Sequence, residues 1–472
     1  VREPIVPSDL AKATEAANGN GPYVRGALVL HALRTQLGDE IFWAAIRRYV
    51  ATQASRTVTT EDFRKAVEEA AGEPMGWFFE QWLEKVGHPI FRVSKSYDAA
   101  NKTLKISVVQ TQTGEPKGAV PYVEFFRGKV DLKIDDRIER VTLEPKAENI
   151  FTFSVTSEPR LVHFDVEGAW IKELFFEKSL DELLYQLKRD DDVVAQVWVI
   201  TELVKIGKQE TTSSADKERV FAGLRAAILS DSFWRVRLAA TNQLQSLLAP
   251  ASRTDAVALD SATREVLVAA INQQKAWNRS AAIGFLGMTR DPQYVDLYLE
   301  AMREPSHPVV YAAAIALGRT KSPRAFEALA RLTTIPSWKG ESLLCGLAGF
   351  KELRDPRAFA VALNAVDDQA RSRWTLATSR WDYRLAGAET LVALGRGAEA
   401  VSLVLARFEK SLLEGDLNDI FANAQLLATL ADPRGQAVFV RLKEKFQGDA
   451  NAMNAVVALE QQFEDARAKL GS

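Results

Sequence analysis

The sequence is poor in the residues that bind metals and close disulfides. It has one cysteine, Cys345, so no internal disulfide can form, and its four histidines, His31, His88, His163 and His307, are scattered singly. A zinc-binding helix places two histidines four residues apart, because that spacing turns both rings to one side. No His-Glu-x-x-His run occurs in the 472 residues. Neither sign of charge is in excess: 60 Lys and Arg stand against 62 Asp and Glu, a formal net charge of −2, so no broad field draws nucleic acid or an anionic membrane. No apolar run reaches the roughly 18 residues that span a bilayer. The chain begins Val1-Arg2-Glu3-Pro4, with neither an initiator methionine nor a secretory signal, and we expect the true amino terminus, with any targeting segment, to lie upstream. Composition therefore leaves compartment and oligomeric state open.

What is present is enough apolar material for several cores. At 47% hydrophobic and 26% charged, a chain of this length is too long for one core and divides into about three domains. The expected division is a helical part over 1–87, a β-sandwich over 88–168 and a helical-repeat part over 169–472, a multidomain α+β fold. Thr59 or Thr60 caps one helix of the first part, with Phe63, Val67 and Ala70 or Ala71 as its inner stripe. Another helix runs from about Pro74 through Trp77, Phe78 and Trp82, whose rings read as core, to a stop near Gly87. Earlier still, Ser8 to Ala17 reads as a short helix. From Phe91 the apolar period changes to two, through Leu104, Ile106 and Val108, Tyr122, Val130 to Ile134, Val141 and Leu143, Phe151 to Val155, and Val162 to Val166. About seven short strands of this kind imply a small sandwich, with His163 on the outer side of its strand.

The first part is organised around Pro22-Tyr23-Val24-Arg25-Gly26-Ala27-Leu28-Val29-Leu30. Apolar residues at 23, 27, 30, 33 and 37 follow helical spacing, and Gly38 supplies an αL stop. Because the helix is apolar on nearly every side, we expect it to be buried, with the Tyr23 ring at its entrance and Gly26 leaving space beside it. The phenol then has two readings: a donor to a reacting oxygen, or a buried tyrosine satisfied by a backbone carbonyl.

Tyr23 to Ala27, Leu33-Arg34, Leu37-Gly38-Asp39 with Phe42, Tyr49, Thr59 to Phe63, Trp77 to Leu83 and Gly87-His88-Pro89 form an ordered set over about 70 residues. This set resembles the end of the catalytic domain of aminopeptidase N-type zinc metallopeptidases, the gluzincin aminopeptidases. The resemblance implies that Tyr23 matches the tyrosine whose hydroxyl points at the substrate carbonyl beside the zinc. Arg25 stands where lysine is more usual and Val24 where an acidic residue is common; neither departure touches the hydroxyl. It also implies a parent enzyme that uses zinc to release amino-terminal residues from peptides. This chain would be its carboxy-terminal portion, binding no catalytic zinc and inactive alone. A sandwich after the catalytic helices, spacing the two helical parts, is similar to the family too.

From about Ala169 the pattern is helical throughout. Asp291-Pro292, Ser322-Pro323, Asp355-Pro356 and Asp432-Pro433 recur at steps of 31, 33 and 77 residues, the last reading as two longer units. Each proline suits the first turn of a helix with Asp or Ser as cap. With the apolar helices before them these turns resemble HEAT-type repeats, an armadillo-like solenoid that would form a helical cover over the active site. Three stretches compete for attention. Arg371 to Arg384 interleaves arginines with Trp374, Trp381 and Tyr383, and reads as surface cover, a contact for a peptide carboxylate, or a nucleic-acid contact. Asp190-Asp191-Asp192 reads as a helix start facing solvent, and Cys345, within Leu343 to Leu347, as a small buried thiol. Peptide substrates in the parent enzyme, no nucleic acid and no membrane span are the partners expected. The alternative is an inactive, peptidase-derived HEAT-type scaffold that binds a protein.

Overall fold

The computed structural model describes residues 5, 21–113, 121–249, 255–272, 275–368 and 382–470. The expected helix Ser8 to Ala17 and all of the Arg371 stretch before Asp382 lie outside them. The chain divides into two compact units, Val1–Gly223 and Leu224–Ser472.

The first unit opens with a π-helical turn, Gly21–Arg25, that runs directly into α1, Gly26–Leu37. Gly38 ends α1 at φ 81° and ψ 160°, a glycine-favouring conformation but not the αL stop expected. Helix α2 spans Asp39–Gln53 and α3 Thr60–Ala71. Asp62 reaches back from the third position of α3 to the Thr59 amide at 2.8 Å, closing a capping box. Helix α4, Gly76–Phe79, runs on as a second π-helical turn, Glu80–Glu84.

Seven strands follow, β1 Ile90–Asp98, β2 Thr103–Gln110, β3 Gly128–Ile134, β4 Arg137–Leu143, β5 Glu148–Ser154, β6 Val162–Phe164 and β7 Glu173–Phe176. They form two sheets, ordered β5-β2-β1-β7 and β4-β3-β6. Tyr122 makes only an isolated bridge to Val86, and the seventh strand is β7, beyond residue 168. One core joins helices and sheets. Trp82 packs its ring 5.1 Å from Phe126 and 5.7 Å from Trp170, and Phe91 lies 5.2 Å from Phe164. Rings of this size dominate the burial, so the helical part and the sandwich hold together. Gln36 of α1 adds a polar tie, its Oε1 accepting from the Lys129 amide at 2.8 Å. Helices α5, Leu180–Arg189, and α6, Val193–Lys208, cover β6, and α7, Ser214–Ser230, contains the boundary between the units.

The second unit is a two-layered stack of helices. One layer holds α8 Trp234–Leu248, α10 Ala276–Leu286, α12 His307–Arg319, α14 Glu341–Leu353, α16 Tyr383–Ala393, α18 Leu417–Leu430 and α20 Ala450–Leu470, each beside the next. The other holds α9 Ser261–Ile271, α11 Val295–Ala301, α13 Ala325–Thr334, α15 Phe359–Val366, α17 Ala398–Glu414 and α19 Gln436–Lys445, each packed on the helix that follows it. Helices of the first layer meet through Ala and Gly. A β-carbon on Gly318 would run into the Gly349 carbonyl, so α12 and α14 approach at their backbones. The Asp-Pro turns do what their sequence implies. Asp291, Asp355 and Asp432 each accept, at 3.0 Å, the amide two residues on, opening a short 3₁₀ turn before α11, α15 and α19. The whole is a helical solenoid after a sandwich and a helical lead-in.

Candidate functional site

Tyr23 lies in the π-helical turn with its side chain outward. It is 76% exposed, and no described residue bonds its hydroxyl. Arg25, two residues on, turns the other way. The residue is 8% exposed, and its guanidinium donates from Nη2 to the Trp82 carbonyl at 3.3 Å, pinning the turn to the aromatic core. Burial lowers the Arg25 pKa from its ordinary value. Nothing stands within 4 Å of a β-carbon built on Gly26, so the space beside the turn is open.

This corrects the expectation of a buried helix. The covered stripe of α1 is Val29, Ala32, Leu33 and Gln36, while Val24 is 60%, Leu28 40% and Leu30 42% exposed. A helix apolar on two sides does not reveal which side its own chain covers. The spacing was helical, but the face carrying Tyr23, Ala27 and Leu30 meets no described core residue.

The histidines do not come together. His31 Nε2 lies 3.2 Å from the Glu167 carbonyl, His88 2.8 Å from Glu173 Oε1, and His307 2.6 Å from Glu341 Oε2. Among the described residues no three His, Cys, Asp or Glu side chains gather into a group that could hold a metal. The described residues therefore do not fit a zinc ion. Cys345 is sealed in α14 at 2% exposure, and burial pushes its thiol up to about 12.

A polar cluster that sequence reasoning placed at the surface is buried. His163 is 6% exposed, its Nδ1 3.2 Å from Asp190 Oδ2 and its Nε2 3.9 Å from Asp192 Oδ2. Lys133 bonds Asp190 at 3.1 Å and also reaches Asp191, the one member of the acidic run that faces solvent. Burial alone would raise the Asp190 pKa, but His163, Gln186 and Lys133 together hold it well below the usual carboxylate range. Asp192 caps α6, accepting from the Val194 amide at 2.8 Å, so a helix start is correct and its exposure is not. Nearby, Asp165 pairs with Lys172, and burial still raises its pKa. Lys178 donates to the Val162 carbonyl at 2.6 Å and to Gln186, and burial pushes its ammonium down to about 7. The error has a simple cause: β6 is an edge strand of three residues, and α5 and α6, later in the chain, close over its outer face. Four acidic residues, Asp165 and Asp190 to Asp192, and three lysines, Lys133, Lys172 and Lys178, make up this polar region, and nothing local in the sequence marks them as covered.

Residues 4–82 match the peptidase family M1 domain, the stretch that contains Tyr23, Arg25 and Trp82. This part of the chain is a piece of an M1 peptidase domain. Residues 264–340, from within α9 to just past α13, match HEAT repeats. Aminopeptidase N of Lactococcus lactis subsp. lactis is 30% identical over 122 residues, 25% of this chain and 14% of that protein. Aminopeptidase M1 of Arabidopsis thaliana is 25% identical over 233 residues, 48% of this chain and 23% of its own length. The chain thus spans less than a quarter of the curated relatives it matches. Aminopeptidase A of Legionella pneumophila, solved in complex with aspartic acid, aligns with a TM-score of 0.56 and 14% identity, over 96% of this chain and 57% of that one. At that identity the alignment shows a shared fold for the M1 segment, sandwich and helical repeats.

Proposed function

We propose that this chain is the carboxy-terminal portion of a zinc-dependent aminopeptidase that releases amino-terminal residues from peptides, and that Tyr23 is its contribution to catalysis. The observation that carries this reading is Tyr23 itself, exposed on a turn that Arg25 anchors to Trp82, within the segment that matches the M1 domain. When a peptide carbonyl is attacked, negative charge grows on its oxygen. A phenol already held in place donates a hydrogen bond to that charge without reorganising, an effect worth about 10²–10³ in turnover. In this reading the metal belongs to residues outside those described, and the helical repeats restrict access to short peptides.

The test is made on the full-length gene product. It should bind zinc and cleave an aminoacyl reporter, and Tyr23→Phe should lower kcat by about 10²-fold with KM and folding nearly unchanged. Activity within about threefold of the parent would remove Tyr23 from the mechanism.

A second reading, an inactive scaffold that binds a protein, is favoured by the exposed rings of Trp277 (57%) and Trp338 (71%) in the second unit. Zinc binding by the full-length product separates the two.

A further inference from the structure

Strand β1 has neighbours of unequal length. On one side β2 pairs with it from Phe91 to Asp98; on the other, the parallel strand β7 accompanies it only from Ile90 to Val93, where it ends at Phe176. Backbone groups point alternately to the two sides of a strand. The Ile90 carbonyl accepts from the Thr111 amide on the β2 side, and the Pro89 carbonyl accepts from the Glu173 amide on the β7 side. Continuing that alternation, the amides and carbonyls of Lys95 and Tyr97 point to the side that β7 has left. No described residue bonds them.

This open edge is recessed. Ser94 to Tyr97 line a groove of about 870 Å³ that is also lined by Ser179 and by Asp181, Glu182 and Tyr185 of α5, and by Glu158 to Arg160. Lys95 pairs with Glu182 across it, and Arg160 lies over the Tyr185 ring, 3.9 Å from the guanidinium carbon to the centroid. Unpaired strand edges invite another strand, and most folds cover or charge them.

We propose that this edge receives an extended peptide segment of a partner protein, which adds a strand beside Lys95 and Tyr97 in line with β7. A single strand sits roughly 4.8 Å from its neighbour and so enters a recessed groove. A second copy of this chain does not suit it, because its own β1 edge is recessed in the same way and the walls of the two grooves would meet first. The charge of the groove is mixed: Arg92 and Arg160 lie over the rings of Phe175 and Tyr185, Lys95 is paired with Glu182 and Asp181 with Arg219, and Glu158 and Glu177 are also in the lining. Recognition therefore rests on the partner's main chain, which must be extended and free of proline where it faces β1.

The probe is a fluorescein-labelled heptapeptide of alternating threonine and valine with lysine at each end, titrated into the 472-residue chain. Two further peptides carry N-methyl groups on the valines only or on the threonines only. Saturable binding with a Kd on the order of 100 μM is expected, and one N-methyl series, the one whose amides face β1, should bind about tenfold more weakly while the other binds as the parent. Tyr97→Pro deletes an amide that serves no β2 pair. It should weaken binding about tenfold with an unchanged circular dichroism spectrum, and bound peptide should slow hydrogen exchange at Lys95 and Tyr97. No saturation by about 1 mM, equal binding of both N-methyl series and the parent, or protection confined to other segments overturns the proposal. So does a dimer of the parent chain that Tyr97→Pro dissolves, since that would give the edge to a second copy.

Discussion

Arg25 and Trp82, 57 residues apart in sequence, are joined by one hydrogen bond from a guanidinium to a backbone carbonyl. Because Arg25 points inward, Tyr23 two positions earlier points out, so a core contact fixes the direction of an exposed phenol. Arg25→Met keeps the stem and removes the donor, leaving a buried carbonyl unpaired. We expect a loss of about 1–2 kcal/mol in urea unfolding, and in the full-length product a fall in kcat that tracks loosening of the turn.

The Asp190 cluster gives an acid-sensitive term. Its carboxyl titrates lower folded than unfolded, so the unfolded chain binds the extra proton as pH falls, and the stabilisation present above the unfolded value is lost on acidification. Asp190→Asn should destabilise by roughly 3 kcal/mol at neutral pH, because Lys133 loses its buried counter-charge. The difference from the parent should shrink as pH drops below about 4. Denaturant melts at a series of pH values measure it.

Lys178 acts in the opposite window. Its folded value of about 7 lies below the ordinary 10.5. Between those two values the unfolded chain holds more protons, so unfolding free energy rises with pH there, and below the lower value the slope disappears. Lys178→Met should flatten that rise, which urea melts of the two proteins across the alkaline range will show.

In the second unit the sensitive positions are backbone approaches. Gly318→Val would force α12 away from the Gly349 carbonyl, and we expect a loss of about 3 kcal/mol or more. Asp432→Ala, which removes only a capping acceptor, should cost about 1 kcal/mol, and thermal melts of both variants against the parent measure the two losses.

Much of this architecture was legible because it depends on local chemistry. Asp-Pro and Thr-x-x-Asp caps act within one turn, and the change from period 3.6 to period 2 near Phe91 reports the change of element directly. What was not legible depended on distant partners. Periodicity showed α1 to be apolar but not that the covered stripe would be Val29 to Gln36, leaving Tyr23 outside. His163 and Asp190 looked exposed because the helices that bury β6 lie after it in the chain. Strand β7 escaped notice since four residues, Glu173 to Phe176, carry too little alternation to stand out.

The lone cysteine of α14 gives the second unit a built-in reporter. With its thiol sealed among packed helices and held protonated, alkylating agents can reach it only when the stack parts. The rate at which iodoacetamide modifies the native protein therefore times that breathing, with no label or engineered residue added.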